Sequence, residues 1–327
     1  MTDSRLSTEY YNKNTKIVSV VSISITGLFI AGMGIMLFDS IINKVDVNAV
    51  VVGNCTCGKR RSNPDEKELN SKLASWNEFP WHVGILQTLT QRIICGGALL
   101  SNRYVITTGT CLEIIRNQSI SEREYLLKVV LGEHNVEDNK IEESQWFWIM
   151  DFYFYPEFNH TTRDYDFAII KLSSKATFSN YVYPVCLPSS SNSYYVGSYG
   201  FVAGFATINA REGNKEIVHL QKEKVRISNG CPLLKNYDWS DRNICVKDSR
   251  CRGDQGSALV LQEENQDWYF IAGLASFWTK RDCSIMGFSR IDSDILDWIR
   301  STMIGTTICT NSTYHEQWLA SQPVEED

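Results

Sequence analysis

Ten cysteines, and where they fall, constrain this chain more than any other feature. They are Cys55, Cys57, Cys95, Cys111, Cys186, Cys231, Cys245, Cys251, Cys283 and Cys309, and none lies in the first 54 residues. Cys55-Thr56-Cys57 is the one close pair, and no histidine stands near it at zinc-finger spacing, so a structural zinc site is not indicated. An even number of well-spread cysteines reads instead as a disulfide framework formed in an oxidising compartment. Four N-x-S/T sequons, at Asn54, Asn117, Asn159 and Asn311, point the same way and are the expected glycosylation sites.

Ile17 to Phe38, 22 residues without a charge, separates the cysteine-free start from the rest. At about 1.5 Å per residue such a helix spans roughly 33 Å, enough for the ~30 Å hydrocarbon core of a bilayer. The run exceeds the apolar core of a usual signal peptide, 16 residues precede it, and no convincing A-x-A cleavage site follows. We therefore expect residues 17–38 to be an uncleaved transmembrane signal anchor. Arg5, Lys13 and Lys16 lie before it and Asp39, Lys44 and Asp46 after it. The positive-inside rule then makes 1–16 a cytoplasmic tail and puts every cysteine and sequon outside. The expected protein is single-pass type II, with an extracellular or luminal ectodomain. Gly27 and Ala31 form a small-xxx-small pair, which is a dimer face in some spanning helices and an ordinary feature of others.

Residues 39–67 read as a stem, expected to be solvated around Lys59-Arg60-Arg61, the alternative being a shedding site. A globular region follows at 68–304, then a polar, loosely ordered tail at 305–327 ending in Glu-Glu-Asp. With 327 residues, 43% of them apolar, the chain can bury a sizeable core and is not disordered throughout. A net charge of −6 lacks the footprint of a nucleic-acid binder. Short runs rich in β-branched and aromatic residues recur between turn signals: Trp81–Leu86, Tyr104–Thr108, Leu127–Leu131, Phe167–Leu172 and Trp268–Leu274. Such spacing predicts an all-β sandwich or barrel. One amphipathic helix is predicted near the end, Ser293–Met303, with Ile295, Leu296, Trp298 and Ile299 on one face.

Several motifs, in order, resemble those of the trypsin-like (chymotrypsin-fold) serine proteases. Glu78-Phe79-Pro80-Trp81-His82-Val83 resembles the first core strand, and Cys95-Gly96-Gly97-Ala98-Leu99-Leu100 the family's C-G-G-[ST]-L. Asp166-Phe167-Ala168-Ile169-Ile170-Lys171-Leu172 resembles D-[IL]-A-L-[LI]-K-L, Val185-Cys186-Leu187-Pro188 is V-C-L-P, Gly253-Asp254-Gln255-Gly256 stands for G-D-S-G, and Trp298-Ile299 lies in the closing helix. The resemblance covers about residues 57–303. It implies an all-β fold of two six-stranded antiparallel β-barrels with a C-terminal helix, here preceded by one transmembrane helix.

The triad positions depart from the pattern. The family's T-A-A-H-C reads Thr107-Thr108-Gly109-Thr110-Cys111, so Thr110 replaces the histidine, and Gln255 replaces the nucleophilic serine. A threonine hydroxyl is no base near neutral pH and a carboxamide forms no acyl-enzyme. Asp166 alone matches. Each of His82, His134, His160, His219 and His315 reads as an ordinary strand, loop or tail histidine, and nothing supplies Ser257 with a base. The specificity-pocket residue is Ser249, followed by Arg250, and Trp278 stands where a glycine keeps the family's pocket open, so the indole is expected to fill part of the cavity. The family's Ile-Val-Gly-Gly start would fall near Glu68-Leu69-Asn70-Ser71, which does not match, so a single uncut chain is expected.

The resemblance further implies the disulfides Cys95–Cys111, Cys231–Cys245, Cys251–Cys283, and Cys57 (or Cys55) with Cys186. The other member of the 55/57 pair and Cys309 either bond each other or bridge two chains. Gly132-Glu133-His134-Asn135-Val136 resembles the family's calcium loop, with Glu143 as a second carboxylate, so Glu133, Asn135 and Glu143 are the candidate calcium ligands and an empty polar loop the alternative. No other cofactor is implied. The expected protein is a catalytically inactive homologue that binds a protein partner at a membrane, for cell-surface recognition or as a scaffold. The alternative is a regulator or decoy cofactor of an active protease or its inhibitor. A disulfide-linked or transmembrane-mediated dimer is compatible with both.

Overall fold

A computed structural model describes residues 51–53, 56–60, 71–119, 122, 126–135, 144–188, 195–205, 219–230, 242–247, 249–250, 253–279, 284–303 and 306–309. The expected membrane anchor at 17–38 lies outside the described residues, as do Cys55, Asn54 and Asn311. Among the described residues, no helix is long and apolar enough to cross a membrane.

The chain enters through β1 (Val51–Gly53) and then builds two barrels. The first uses β2 (His82–Gln87), β3 (Arg92–Leu99), β4 (Tyr104–Thr107), β5 (Leu127–Leu131), β6 (Gln145–Phe154) and β7 (Ala168–Leu172), with a one-turn helix α1 (Gly109–Leu112) after β4. Its strands close in the order β2-β3-β4-β7-β6-β5. The second uses β8 (Tyr199–Gly204), β9 (Gln221–Ser228), β10 (Asn243–Lys247), β11 (Ala258–Gln262), β12 (Tyr269–Trp278) and β13 (Ile285–Arg290), closing as β10-β13-β12-β11-β8-β9. Helix α2 (Ser293–Thr302) and β14 (Thr307–Cys309) complete the described chain. Closure removes the free strand edges that an open sheet would present.

Alternation decides which side chains face inward, because successive residues of a strand point to opposite faces. In β6, Phe147 and Ile149 are buried while Trp146, Trp148 and Met150 are exposed. Val83, Leu99, Val129, Leu131, Ile149 and Ile170 pack inside the first barrel, and Val202, Val225, Ile244, Leu259, Phe270 and Phe288 inside the second. A third cluster joins the two: Phe79, Trp81, Ile106 and Ile169 meet Phe201, Val260 and Ile271. Helix α2 begins where Asp292 caps the Ile295 amide at 3.1 Å, and it buries Ile295, Leu296 and Ile299 in that same cluster.

Cys57 bonds Cys186, which decides between Cys57 and Cys55, and Cys95 bonds Cys111. Cys245 is also disulfide-bonded. Cys231, Cys251 and Cys283 lie outside the described residues. Two expectations are corrected. Residues 307–309 of the tail form β14, which runs parallel to β1 with Cys309 opposite Gly53. The basic stretch is not simply solvated: Lys59 bridges to Trp268, and the Arg60 side chain is only 9% exposed. Ladder pairing and aromatic burial override the polar composition that suggested a free stem.

Candidate functional site

The seam between the barrels brings together segments that are far apart in sequence. β4 ends at Thr107 and passes into α1, which carries Thr110 and is tied to β3 by the Cys95–Cys111 bond. Asp166 stands just before β7, and Gln255 in the turn leading into β11. The three side chains meet. Asp166 Oδ1 accepts the Thr110 amide at 2.8 Å, and Oδ2 accepts the Thr110 hydroxyl at 2.9 Å, the Ser276 hydroxyl at 2.6 Å and Gln255 Nε2 at 3.4 Å. Gln255 Nε2 also donates to Thr108 Oγ1 at 3.2 Å. Asp166 and Ser276 are fully buried, and Gln255 is 8% exposed. Burial pushes the Asp166 carboxyl pKa up, while the bonds from Ser276 and Thr110 and the charge of Arg163 pull it back.

The turn that carries Gln255 is held from both barrels. The Gln255 carbonyl accepts the Gly96 amide at 2.7 Å, and the Gly256 amide donates to the Ala275 carbonyl at 2.7 Å. Gly256 has φ +83°, and a Cβ there would sit 2.5 Å from the Gly96 carbonyl oxygen, so only glycine fits. Asp254 Oδ2 accepts the Phe205 amide at 2.8 Å. Residues 68–70, where an activation start would fall, lie outside the described residues. Ser257 is fully buried, and its hydroxyl oxygen accepts the Asp254 amide at 2.8 Å, which makes it a brace of the turn.

The histidines take up other places. His82 is buried in β2 against the Phe205 ring, and desolvation lowers its pKa to about 4, so it is neutral at neutral pH. His134 stacks on Trp76 at 4.3 Å, places Nε2 2.8 Å from the Ala74 carbonyl oxygen, and lies 6.2 Å from the His219 ring. His160 is exposed, and His315 lies outside the described residues.

At the pocket positions, Met286 stands beside Ser249. Ser249 is 5% exposed; its hydroxyl donates to Glu223 Oε2 at 3.2 Å and lies 3.8 Å from Met286 Sδ. The Arg250 amide donates to Glu223 Oε1 at 2.8 Å. Met286 is fully buried, and its terminal methyl would touch a Cβ on Gly253 at 3.3 Å. Met286, from β13, therefore fills the space between Ser249 and Gly253. Trp278, its register partner on β12, is half-buried. At the bulge between Ala275 and Phe277 the Ser276 carbonyl is taken by Arg163 Nη1 at 2.7 Å.

Met286, Arg163 and Glu223 were missed by sequence reasoning. Met286 could have been found only from strand register, and Arg163 only from its place three residues before Asp166. Of the candidate calcium ligands, Glu133 Oε1 accepts the Asn135 amide at 3.2 Å, Asn135 bridges to His219, and Glu143 lies outside the described residues. Among the described residues no group of three or more His, Cys, Asp or Glu side chains is placed to hold a metal. Asn117 and Asn159 are both exposed.

A double barrel with Asp166, residue 110 and residue 255 meeting at its seam is the architecture of a serine-protease domain. The Trypsin family model matches residues 70–299, so this chain belongs to the trypsin family. The chain is 27% identical over 268 residues to the atrial natriuretic peptide-converting enzyme of Homo sapiens, covering 78% of this chain and 24% of that protein. It is 27% identical over 228 residues to the suppressor of tumorigenicity 14 protein homolog of Bos taurus, covering 68% of this chain and 26% of that one. The Mus musculus atrial natriuretic peptide-converting enzyme is 26% identical over 279 residues, 81% of this chain and 22% of the relative. The chain thus spans about a quarter of the length of these relatives.

Proposed function

We propose that this chain is a catalytically inactive member of the trypsin family that acts by binding protein at a membrane. The observation that carries the reading is the Asp166 cluster. Its carboxylate accepts from Thr110, Gln255 and Ser276, and the residues at the histidine and serine positions supply neither a proton acceptor nor a nucleophile near neutral pH. Met286 beside Ser249, and Arg163 on the Ser276 carbonyl, support a closed cleft. In this reading residues 17–38 anchor the chain with its N-terminus in the cytosol. The ectodomain carries glycans at Asn54, Asn117, Asn159 and Asn311, and the disulfide-bonded barrels are a rigid base for recognition loops.

The test is cross-linking of the full chain on native membranes, then affinity capture and mass spectrometry. A discrete protein adduct attached through the surface loops is expected. An active protease or its inhibitor attached at the cleft beside Trp278 would replace the scaffold reading with that of a protease regulator. No adduct above an unrelated membrane protein control would contradict a binding role.

A further inference from the structure

Segment 56–60 is threaded into the protein. Thr56 Oγ1 hydrogen-bonds the Tyr183 hydroxyl, and Cys57 is bonded to Cys186. The Gly58 amide donates to the Pro184 carbonyl at 2.8 Å, and its carbonyl accepts the Tyr269 amide at 2.8 Å. Gly58 has φ +67°, and a Cβ there would lie 2.1 Å from the Tyr269 carbonyl oxygen, so the backbone approaches closer than any side chain permits. Lys59 bridges to Trp268 and lies 3.7 Å from the Asp267 carboxylate. These contacts deliver Arg60 into the joint between the barrels.

There the guanidinium carbon lies 4.4 Å from the ring centroids of both Phe201 and Tyr269 and 5.1 Å from that of Phe79. The rings touch one another, with Phe201 6.2 Å from Phe79 and 6.3 Å from Tyr269. Nη1 lies 3.6 Å from Oε1 of Glu78, a fully buried carboxylate. Nε and Nη2 are buried and find no hydrogen-bond partner among the described residues. A planar, weakly hydrated cation tolerates ring faces in place of acceptors; a compact ammonium, which holds its water tightly, does not. Burial lowers the Arg60 pKa, partly offset by Tyr269 and Glu78.

We propose that Phe79, Phe201, Tyr269 and Glu78 form a guanidinium-binding cage, occupied in cis by Arg60, which locks the stem into the protease-like domain and withholds the bond after Arg60 from proteolysis. The cage takes an arginine side chain, and another guanidinium enters only when Arg60 leaves. Residues 56–60 are then a bound part of the domain.

Chemical rescue tests this in the full chain. Arg60→Ala is expected to lower the melting temperature by roughly 4–8 °C, and N-ethylguanidinium at low millimolar concentration to restore at least half of that shift. Ethylammonium at the same concentration restores little, and Arg60→Lys retains only part of the native value. An unchanged melting temperature in Arg60→Ala, or equal rescue by both cations, would overturn the cage. Should Arg60→Ala not fold, limited trypsin digestion of the native chain decides. Cleavage after the exposed Arg116 and Lys175 is expected well before cleavage after Arg60; early cleavage after Arg60 would overturn the lock.

Discussion

Replacing Glu78 with glutamine is expected to destabilise the folded chain by about 3–5 kcal/mol, the usual cost of removing one partner from a buried ion pair. Glu78 is fully buried, both of its oxygens lie 2.7 Å from Lys222 Nζ, and Oε2 also accepts the Ser75 amide at 2.8 Å. Lys222 is itself 1% exposed although it lies on β9, and Arg60 approaches the same carboxylate. One anion therefore serves two buried cations. The glutamine keeps the shape and removes the negative charge that faces both cations. For a domain of this size about 2–4 °C of melting temperature accompanies each kcal/mol, so a fall of roughly 6–20 °C is expected. Denaturant titration with the disulfides intact measures it. Adding Lys222→Met should recover part of the loss, because it removes one of the two buried cations that face residue 78. A Glu78→Gln chain within about 1 kcal/mol of native would show that the cluster is not a structural anchor.

Thr110→His with Gln255→Ser, which places the family's residues at those two motif positions, is expected to leave peptide hydrolysis at background. A competent triad is worth about 10⁶ in turnover over its single knock-outs, so the assay has a very wide range in which to detect success. The expected failure rests on the surroundings. Met286 fills the space beside Ser249, Arg163 occupies the Ser276 carbonyl, and Glu223 is committed to Ser249 and the Arg250 amide. Binding and orientation of a peptide would remain wrong even with the right catalytic groups. Turnover by the double variant about 10³ above background or better would mean that the cleft is open and that only two side chains separate this chain from an enzyme.

Much of the architecture could be read from the sequence because some strands carry their own signal. Leu127–Leu131 is a dense β-branched and apolar run bounded by turns, and the strand has those same ends. The closing helix spans Ser293–Thr302, and its apolar face is the one the spacing indicated. Strands such as β6 were not readable: Trp146, Trp148 and Met150 face outward, which erases the alternation of apolar and polar residues. β8 carries two glycines and β13 one, and both strands are buried almost throughout, so periodicity has nothing to detect.

The site divides in the same way. Thr110, Asp166 and Gln255 were found through ordered motifs, and their meeting follows from the fold. Met286 and Arg163 act through register and through a loop in which Arg163 has φ +60°, neither of which leaves a local trace in the sequence. Arg60 was misread for a related reason. A basic stretch resembles a solvated linker, and only the three-dimensional meeting of Phe79, Phe201 and Tyr269 gives its arginine a place against the core.

The central claim, that the chain binds but does not cleave, is tested most directly by exposing the purified full chain to a fluorophosphonate probe beside an active trypsin-family control. The account predicts no labelling under conditions that label the control completely, because Gln255 offers no hydroxyl and the Ser257 oxygen is engaged by the Asp254 amide. Stoichiometric labelling that is abolished by Ser257→Ala would contradict it, by revealing an activated serine at this seam.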